Sequence, residues 1–321
     1  MSSRNHWRAN TLLTVAGALL IAWQTAGAQG DYTISDNVDL VLLDASVKDV
    51  RGGFVTGLAR GDFRVYEDGH ERAITHFAPV DAPVSVGLVL DDSGSMRRKR
   101  AEVVTAGLAF AKESNPKDEF FVVNFNNRIY YGLPEAVNFT DKLQLLHNAL
   151  YFGQPVGQTA LYDAIASALK HLELSDRELR TLIVVSDGGD NVSKIRLPEL
   201  MKLIETSRAT IYTVGLLDPE DRDLNPKVLR RFAYISGGEF FEPPGLDEVV
   251  PIFQKISKDI RNRYTIGFTP DERSDKRKSR SIKVTAQSRG RKLNVRTRST
   301  FSLSPANEIV AKAPVEHVSE K

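Results

Sequence analysis

The run Val84-Ser85-Val86-Gly87-Leu88-Val89-Leu90 carries no charge and ends abruptly on Asp91-Asp92-Ser93-Gly94-Ser95. An uncharged stretch of that length, rich in Val and Leu, reads as a strand buried on both faces of a parallel sheet. Parallel strands need crossover connections, and the downstream text supplies them as helical periods between strands. Expected strands are 120–125, 128–131, 182–185, 211–214 and 239–241, the second a short edge. Expected helices are 102–114, 141–150, 159–174, 197–207, 226–235 and 246–260. In the helix 159–174, Leu161, Ile165, Leu169 and Leu172 form one stripe. The fold class is therefore α/β: a doubly wound, mostly parallel six-stranded sheet.

The flanks are β-like. Val41, Leu43, Ala45 and Val47 alternate with other residues, and Glu67-Asp68-Gly69-His70 is a hairpin signal. Strands are again expected at 264–268, 282–286 and 293–296, the last two flanking the turn Ser288-Arg289-Gly290-Arg291. The two β pieces are expected to pair into a small β-sandwich, with the α/β core inserted between them. The N-terminus has Arg4 and Arg8, an apolar stretch from Thr11 to Trp23, and the small-residue exit Ala26-Gly27-Ala28. That order matches a secretory signal peptide cleaved after Ala28, and the stretch is short for a membrane span, which takes about 20 residues. Expected divisions are a signal peptide (1–28), an N-terminal β segment (29–83), the α/β domain (84–262), a C-terminal β segment (263–303) and a disordered tail (304–321).

The composition excludes several chemistries. Cys is absent, which removes disulfides, thiolate metal sites, cysteine nucleophiles and a lipoprotein acylation site. A formal net charge of +2 gives no argument for nucleic acid. No H-E-x-x-H, nucleophile elbow or Walker loop is present. The basic run Lys276-Arg277-Lys278-Ser279-Arg280 lacks interleaved aromatics and reads as a solvated loop.

In an open α/β sheet, ligands bind at the carboxyl ends of the strands. Asp91, Ser93 and Ser95 follow one such end, and Asp187 in Ser186-Asp187-Gly188-Gly189 follows another. Thr159 opens a helix after a loop containing Gly157. All five offer hard oxygen donors of the kind Mg2+ and Ca2+ prefer. Singly, each has an ordinary explanation as a cap or turn residue; together they form a candidate divalent-cation site. Asp92 is expected to be solvated or capping, Asp163 to sit in a first helical turn, and Asp190 and Asn191 to be surface residues. Arg97-Arg98-Lys99-Arg100 has two readings, a solvated helix start or a basic collar that concentrates acidic partners.

The segments Asp91–Ser95, Gly157–Ile165 and Val185–Gly188 resemble the three parts of the metal-ion-dependent adhesion site of von Willebrand factor A domains. The whole arrangement, with Leu58-Ala59-Arg60-Gly61-Asp62-Phe63 upstream, is similar to a bacterial secreted family described as von Willebrand factor A-related. The resemblance covers about residues 84–261. It implies hydroxyl ligation by Ser93, Ser95 and Thr159, with Asp91 and Asp187 bound directly or through water. The implied cofactor is Mg2+, with Mn2+ or Ca2+ as alternatives. The implied partner is a protein ligand presenting an Asp or Glu carboxylate, with no nucleic acid and no stable membrane insertion after signal cleavage. The expected function is an exported, periplasmic or secreted, non-enzymatic binding or adhesion protein. A structural module with a loop-tying metal and a metal-assisted hydrolase are the rival readings.

Overall fold

The computed structural model describes residues 40–80, 82–218, 224–271 and 279–302. The expected signal peptide and C-terminal tail lie outside the described residues. The chain enters through β1 (Val41–Lys48), β2 (Phe63–Glu67), β3 (His70–Arg72) and β4 (Ile74–Val80). The α/β unit then runs β5 (Val84–Asp91), α1 (Arg100–Glu113), β6 (Glu119–Phe125), β7 (Ile129–Tyr131), α2 (Leu143–Tyr151), α3 (Leu161–Leu172), β8 (Leu179–Ser186) and α4 (Leu197–Thr206). It continues with β9 (Thr210–Gly215), α5 (Pro226–Ser236), β10 (Phe240–Phe241) and α6 (Val249–Arg261). Four strands close the described chain: β11 (Arg263–Phe268), β12 (Arg280–Ser288), β13 (Arg291–Arg296) and β14 (Thr300–Phe301).

Six strands form the inner sheet in the order β10-β9-β8-β5-β6-β7. All pairings are parallel except β6 with β7, whose tight connection permits only an antiparallel return. Every residue of β5 is buried, as its uncharged sequence requires. Helices α6, α1 and α2 pack together as one layer, and α3, α4 and α5 as another. The stripe on α3 is buried as expected: Leu161, Ile165, Leu169 and Leu172 all face the core. Since β5 lies between β6 and β8, the chain changes winding direction there. A crevice opens at such a switch point, on the carboxyl ends of the strands.

The flanking strands interleave in a second, antiparallel sheet of order β3-β2-β12-β13-β1-β11-β4, with β14 added to β12. Val41 pairs with Phe268 and Val65 with Val284, so strands before and after the α/β unit are direct neighbours. Asp68 and Gly69 both take positive φ (48° and 84°), the backbone of the two-residue hairpin between β2 and β3. This sheet folds over on itself. The Phe63 ring on β2 lies 5.1 Å from Tyr264 on β11 and 5.4 Å from Phe77 on β4. Four strand steps in a flat sheet would separate β2 and β11 by about 19 Å. The fold encloses a second core that includes Leu43, Val47, Val65, Ile266 and Phe268.

Asp259 on α6 joins the two sheets. It accepts from Ser46 Oγ on β1 (2.7 Å), from Arg296 Nη2 on β13 (2.6 Å) and from the Tyr212 hydroxyl on β9. Burial pushes its carboxyl up, but the charges of Arg296 and Arg263 and the hydroxyl donors outweigh that and hold it well below the usual carboxylate range. Within the basic run 276–280, whose residues 276–278 lie outside the described residues, Arg280 requires a correction. Arg280 is buried, not solvated, with its Nη1 2.6 Å from Glu67 Oε1. Glu67 sits at the end of β2, opposite Ile282, so register delivers the pair.

Candidate metal centre

Asp91 is the last residue of β5, and its neighbours Leu90 and Val185 are in register across β5 and β8. The loops that follow these two strands therefore leave the sheet side by side. Ser95 Oγ donates to Asp187 Oδ2 at 2.7 Å and lies 3.1 Å from Ser93 Oγ. Asp91 accepts the Ser93 N–H at Oδ1 (2.8 Å) and the Ser186 hydroxyl at Oδ2 (2.7 Å). Asp187 Oδ1 accepts the Gly189 N–H at 3.0 Å. The Thr159 loop is held to the first by Gly94 N–H on Gly157 O (3.1 Å). It is held to the Asp187 loop by Thr159 N–H on Asn191 Oδ1 (2.9 Å), with Asn191 N–H returning to Thr159 O (3.0 Å). The structure thus gathers the loops bearing Asp91, Ser93, Ser95, Thr159 and Asp187 on one rim. Four of the five side chains are buried, and Ser95 is half-buried beside the exposed Gly94.

Burial, and next the negative charge of Asp187, push the Asp91 carboxyl up to about 7, against the hydrogen bonds from Ser93 and Ser186. The charge that Asp91 feels is that of another carboxylate rather than of a cation. Two inward carboxylates ringed by neutral hydroxyls fit a hard divalent ion, which would offset their repulsion and take oxygen ligands alone. Among the described residues no cluster of three or more His, Asp or Glu side chains offers a denser site.

Several supporting residues differ from expectation. Asp92 is buried, neither solvated nor capping, because the loop after α2 closes over it. Arg100 Nε lies 2.8 Å from Asp92 Oδ1, a charge contact rather than a directed hydrogen bond. Burial raises the Asp92 carboxyl to about 6 even against the Arg100 charge. The backbone of Gly153 approaches so closely that a Cβ there would lie 1.6 Å from Asp92 Oδ2. The basic run is split: Arg97 and Arg98 are exposed, while Lys99 is buried with Nζ donating to Leu216 O at 2.6 Å. Only Arg97 and Arg98 of the four are therefore left exposed, while Lys99 and Arg100 are committed to Leu216 O and Asp92.

Asp163 is indeed in the first turn of α3, and its carboxylate accepts the N–H groups of Lys194 (3.0 Å) and Ile195 (2.9 Å). Asp190 and Asn191 are structural rather than merely superficial. Asp190 Oδ1 accepts from Tyr162 N–H (3.1 Å) and from Ser193 Oγ (2.5 Å), while Asn191 clamps Thr159. Ser186 was not singled out in the sequence. The one signal for it was its place beside Asp187 at a strand end.

The sequence model of the von Willebrand factor type A domain matches residues 86–189, the span that holds all five candidate residues. The chain carries a von Willebrand factor type A domain. A curated relative, human von Willebrand factor A domain-containing protein 3A, is 28% identical over 216 residues, covering 63% of this chain and 18% of the relative. The chain therefore spans less than a fifth of that relative's length. A solved von Willebrand factor type A structure from Catenulispora acidiphila aligns with TM-score 0.51 at 13% identity, covering 78% of this chain and 76% of that one. At that identity the likeness is one of fold. The von Willebrand factor domain of the type V pili tip protein Mfa5 from Porphyromonas gingivalis gives TM-score 0.45 at 15% identity, over 56% of this chain and 96% of that one. Among the described residues of this A domain protein, no helix is long and apolar enough to cross a membrane.

Proposed function

We propose that this chain is an exported, non-enzymatic binding protein whose A domain captures a protein ligand through a divalent cation and a carboxylate on that ligand. Asp91, Ser93, Ser95, Thr159 and Asp187 would hold the cation, Mg2+ or its substitutes Mn2+ and Ca2+. When bound, the cation supplies an electrophilic centre for an incoming carboxylate oxygen. The observation that carries this reading is the meeting of the Asp91, Thr159 and Asp187 loops on one rim, with Ser95 Oγ on Asp187 Oδ2 and Ser186 Oγ and Ser93 N–H on Asp91.

The residues divide the work. Asp91 and Asp187 bring only two negative charges to a 2+ ion, so the site carries no excess anionic charge to repel a ligand carboxylate. The hydroxyls of Ser93, Ser95 and Thr159 add donors without adding charge. Ser186 and the Ser93 N–H orient the Asp91 carboxylate, and Asn191 fixes the backbone of Thr159. Ser93 and Ser95 are engaged with each other and with Asp187, not with a histidine, which supports recognition over hydrolysis. Export is supported by Arg4, Arg8, the apolar stretch and Ala26-Gly27-Ala28.

A purely structural metal is the second reading, favoured by hydrogen bonds that already knit the loops together. Water proton relaxation with Mn2+ separates the two. Recognition requires an exchangeable water, so Mn2+ on the full chain should enhance relaxation strongly, and added acetate should reduce the enhancement. A bound Mn2+ with little enhancement, insensitive to acetate, would favour the structural reading.

A further inference from the structure

We propose that Tyr151, Phe152 and Val156, with Arg97, Arg98 and Arg128 around them, form a second contact surface beside the metal centre. It selects ligand carboxylates carried on a peptide segment that has an aliphatic or aromatic neighbour. The inference rests on the metal-dependent reading above and specifies its partner.

Exposure is the first observation. Tyr151, Phe152 and Val156 are 60%, 59% and 52% exposed and lie within six residues of chain. Large exposed apolar residues scattered singly are ordinary, whereas a cluster of them marks a contact site. Elsewhere in the described chain such residues are mostly isolated, as at Val50, Leu174, Leu203 and Tyr234.

Position is the second observation. The segment is pinned to the metal loop at three points. Gly153 packs on the Asp92 carboxylate, Val156 N–H donates to Asp92 O (2.8 Å), and Gly157 O accepts from Gly94 N–H (3.1 Å). Asp92 and Gly94 alternate with the candidate ligands Asp91, Ser93 and Ser95. The apolar side chains therefore project from a segment whose backbone is fixed to the cation loop, and they bind without first being ordered.

Charge is the third. Asp91, Asp92 and Asp187, which flank the candidate cation position, are buried and committed inward. Arg97 and Arg98 are exposed, with Arg97 Nη2 reaching Pro155 O at 3.5 Å. Arg128 is exposed on the turn whose Asn126 O accepts the Ala160 N–H at 2.8 Å. Cations, apolar rings and a candidate divalent ion side by side complement an acidic peptide with a large apolar side chain next to its carboxylate.

The test pans phage-displayed random heptapeptides on the full chain in Mn2+ and elutes with EDTA. Eluted clones are expected to share an Asp or Glu with Leu, Ile, Phe, Tyr or Trp within two positions. The corresponding synthetic peptides should bind the Phe152→Ser/Val156→Ser variant at least tenfold more weakly, and Tyr151→Ser more weakly too, with Mn2+ affinity unchanged in both. Clones that share a carboxylate without an apolar neighbour, or that bind these variants as the parent, would overturn the second contact and leave metal-dependent capture standing. An absence of EDTA-eluted clones would overturn the metal reading and this inference with it.

Discussion

Ser95 Oγ donates to Asp187 Oδ2 across 2.7 Å, although the two residues are 92 positions apart in the chain. The bond closes the rim because β5 and β8 are parallel neighbours in register, so their carboxyl ends deliver both loops to one place.

Ser186→Ala should loosen the same rim from below. It removes a donor to Asp91 Oδ2 in a fully buried position. A buried acceptor deprived of its partner costs about 1–3 kcal/mol, which urea denaturation will read. Loss of a residue that orients a metal ligand should also weaken Mn2+ binding by about 10–100-fold in calorimetry.

Arg100→Met should be the more damaging change. It leaves the Asp92 carboxylate buried beside Gly153 without its cation. Removing one partner of a buried ion pair costs about 3–5 kcal/mol. Adding Asp92→Asn to the Arg100→Met chain should recover part of that loss, giving a non-additive cycle by urea denaturation.

Gly153→Ala would place a methyl group against Asp92 Oδ2 and force the loop outward. Overpacking of this kind costs about 1–3 kcal/mol. The thermal midpoint should fall, and Tyr151, the last residue of α2 and two positions before Gly153, should show changed fluorescence.

Asp259 predicts an acid limb in stability. Its carboxyl is held low in the folded state, whereas the unfolded chain titrates near the ordinary value of about 4. The stability it supplies is thus complete above the unfolded value and is lost as pH falls toward the folded one. In urea midpoints from pH 7 down to pH 2.5, Asp259→Asn should be less stable at pH 7 and fall less steeply below pH 4.

The inner sheet and the candidate loops are legible in the sequence because each candidate residue adjoins an apolar run or a helical stripe. Asp91 follows Val84–Leu90, and Asp187 follows the run through Val185 and Ser186. The burial of Asp92 is not legible, since it depends on Gly153 closing from a loop some sixty residues away. The fate of Lys99 depends likewise on Leu216 O, beyond β9. Pairings such as Val41 with Phe268 leave only alternation in each strand and no local mark of the partner. Hence the flanking strands and their pairing across the inserted unit are expected from the sequence, while the strand order, the register and the folding of one continuous sheet over on itself come from the structure.

Calorimetric titration of Mn2+ into the full chain, with Asp91→Ala and Asp187→Ala alongside, tests the central claim most directly. The account predicts one binding event in the parent that is lost in both variants, each still folded by circular dichroism. Parent-like binding in the two folded variants would contradict it.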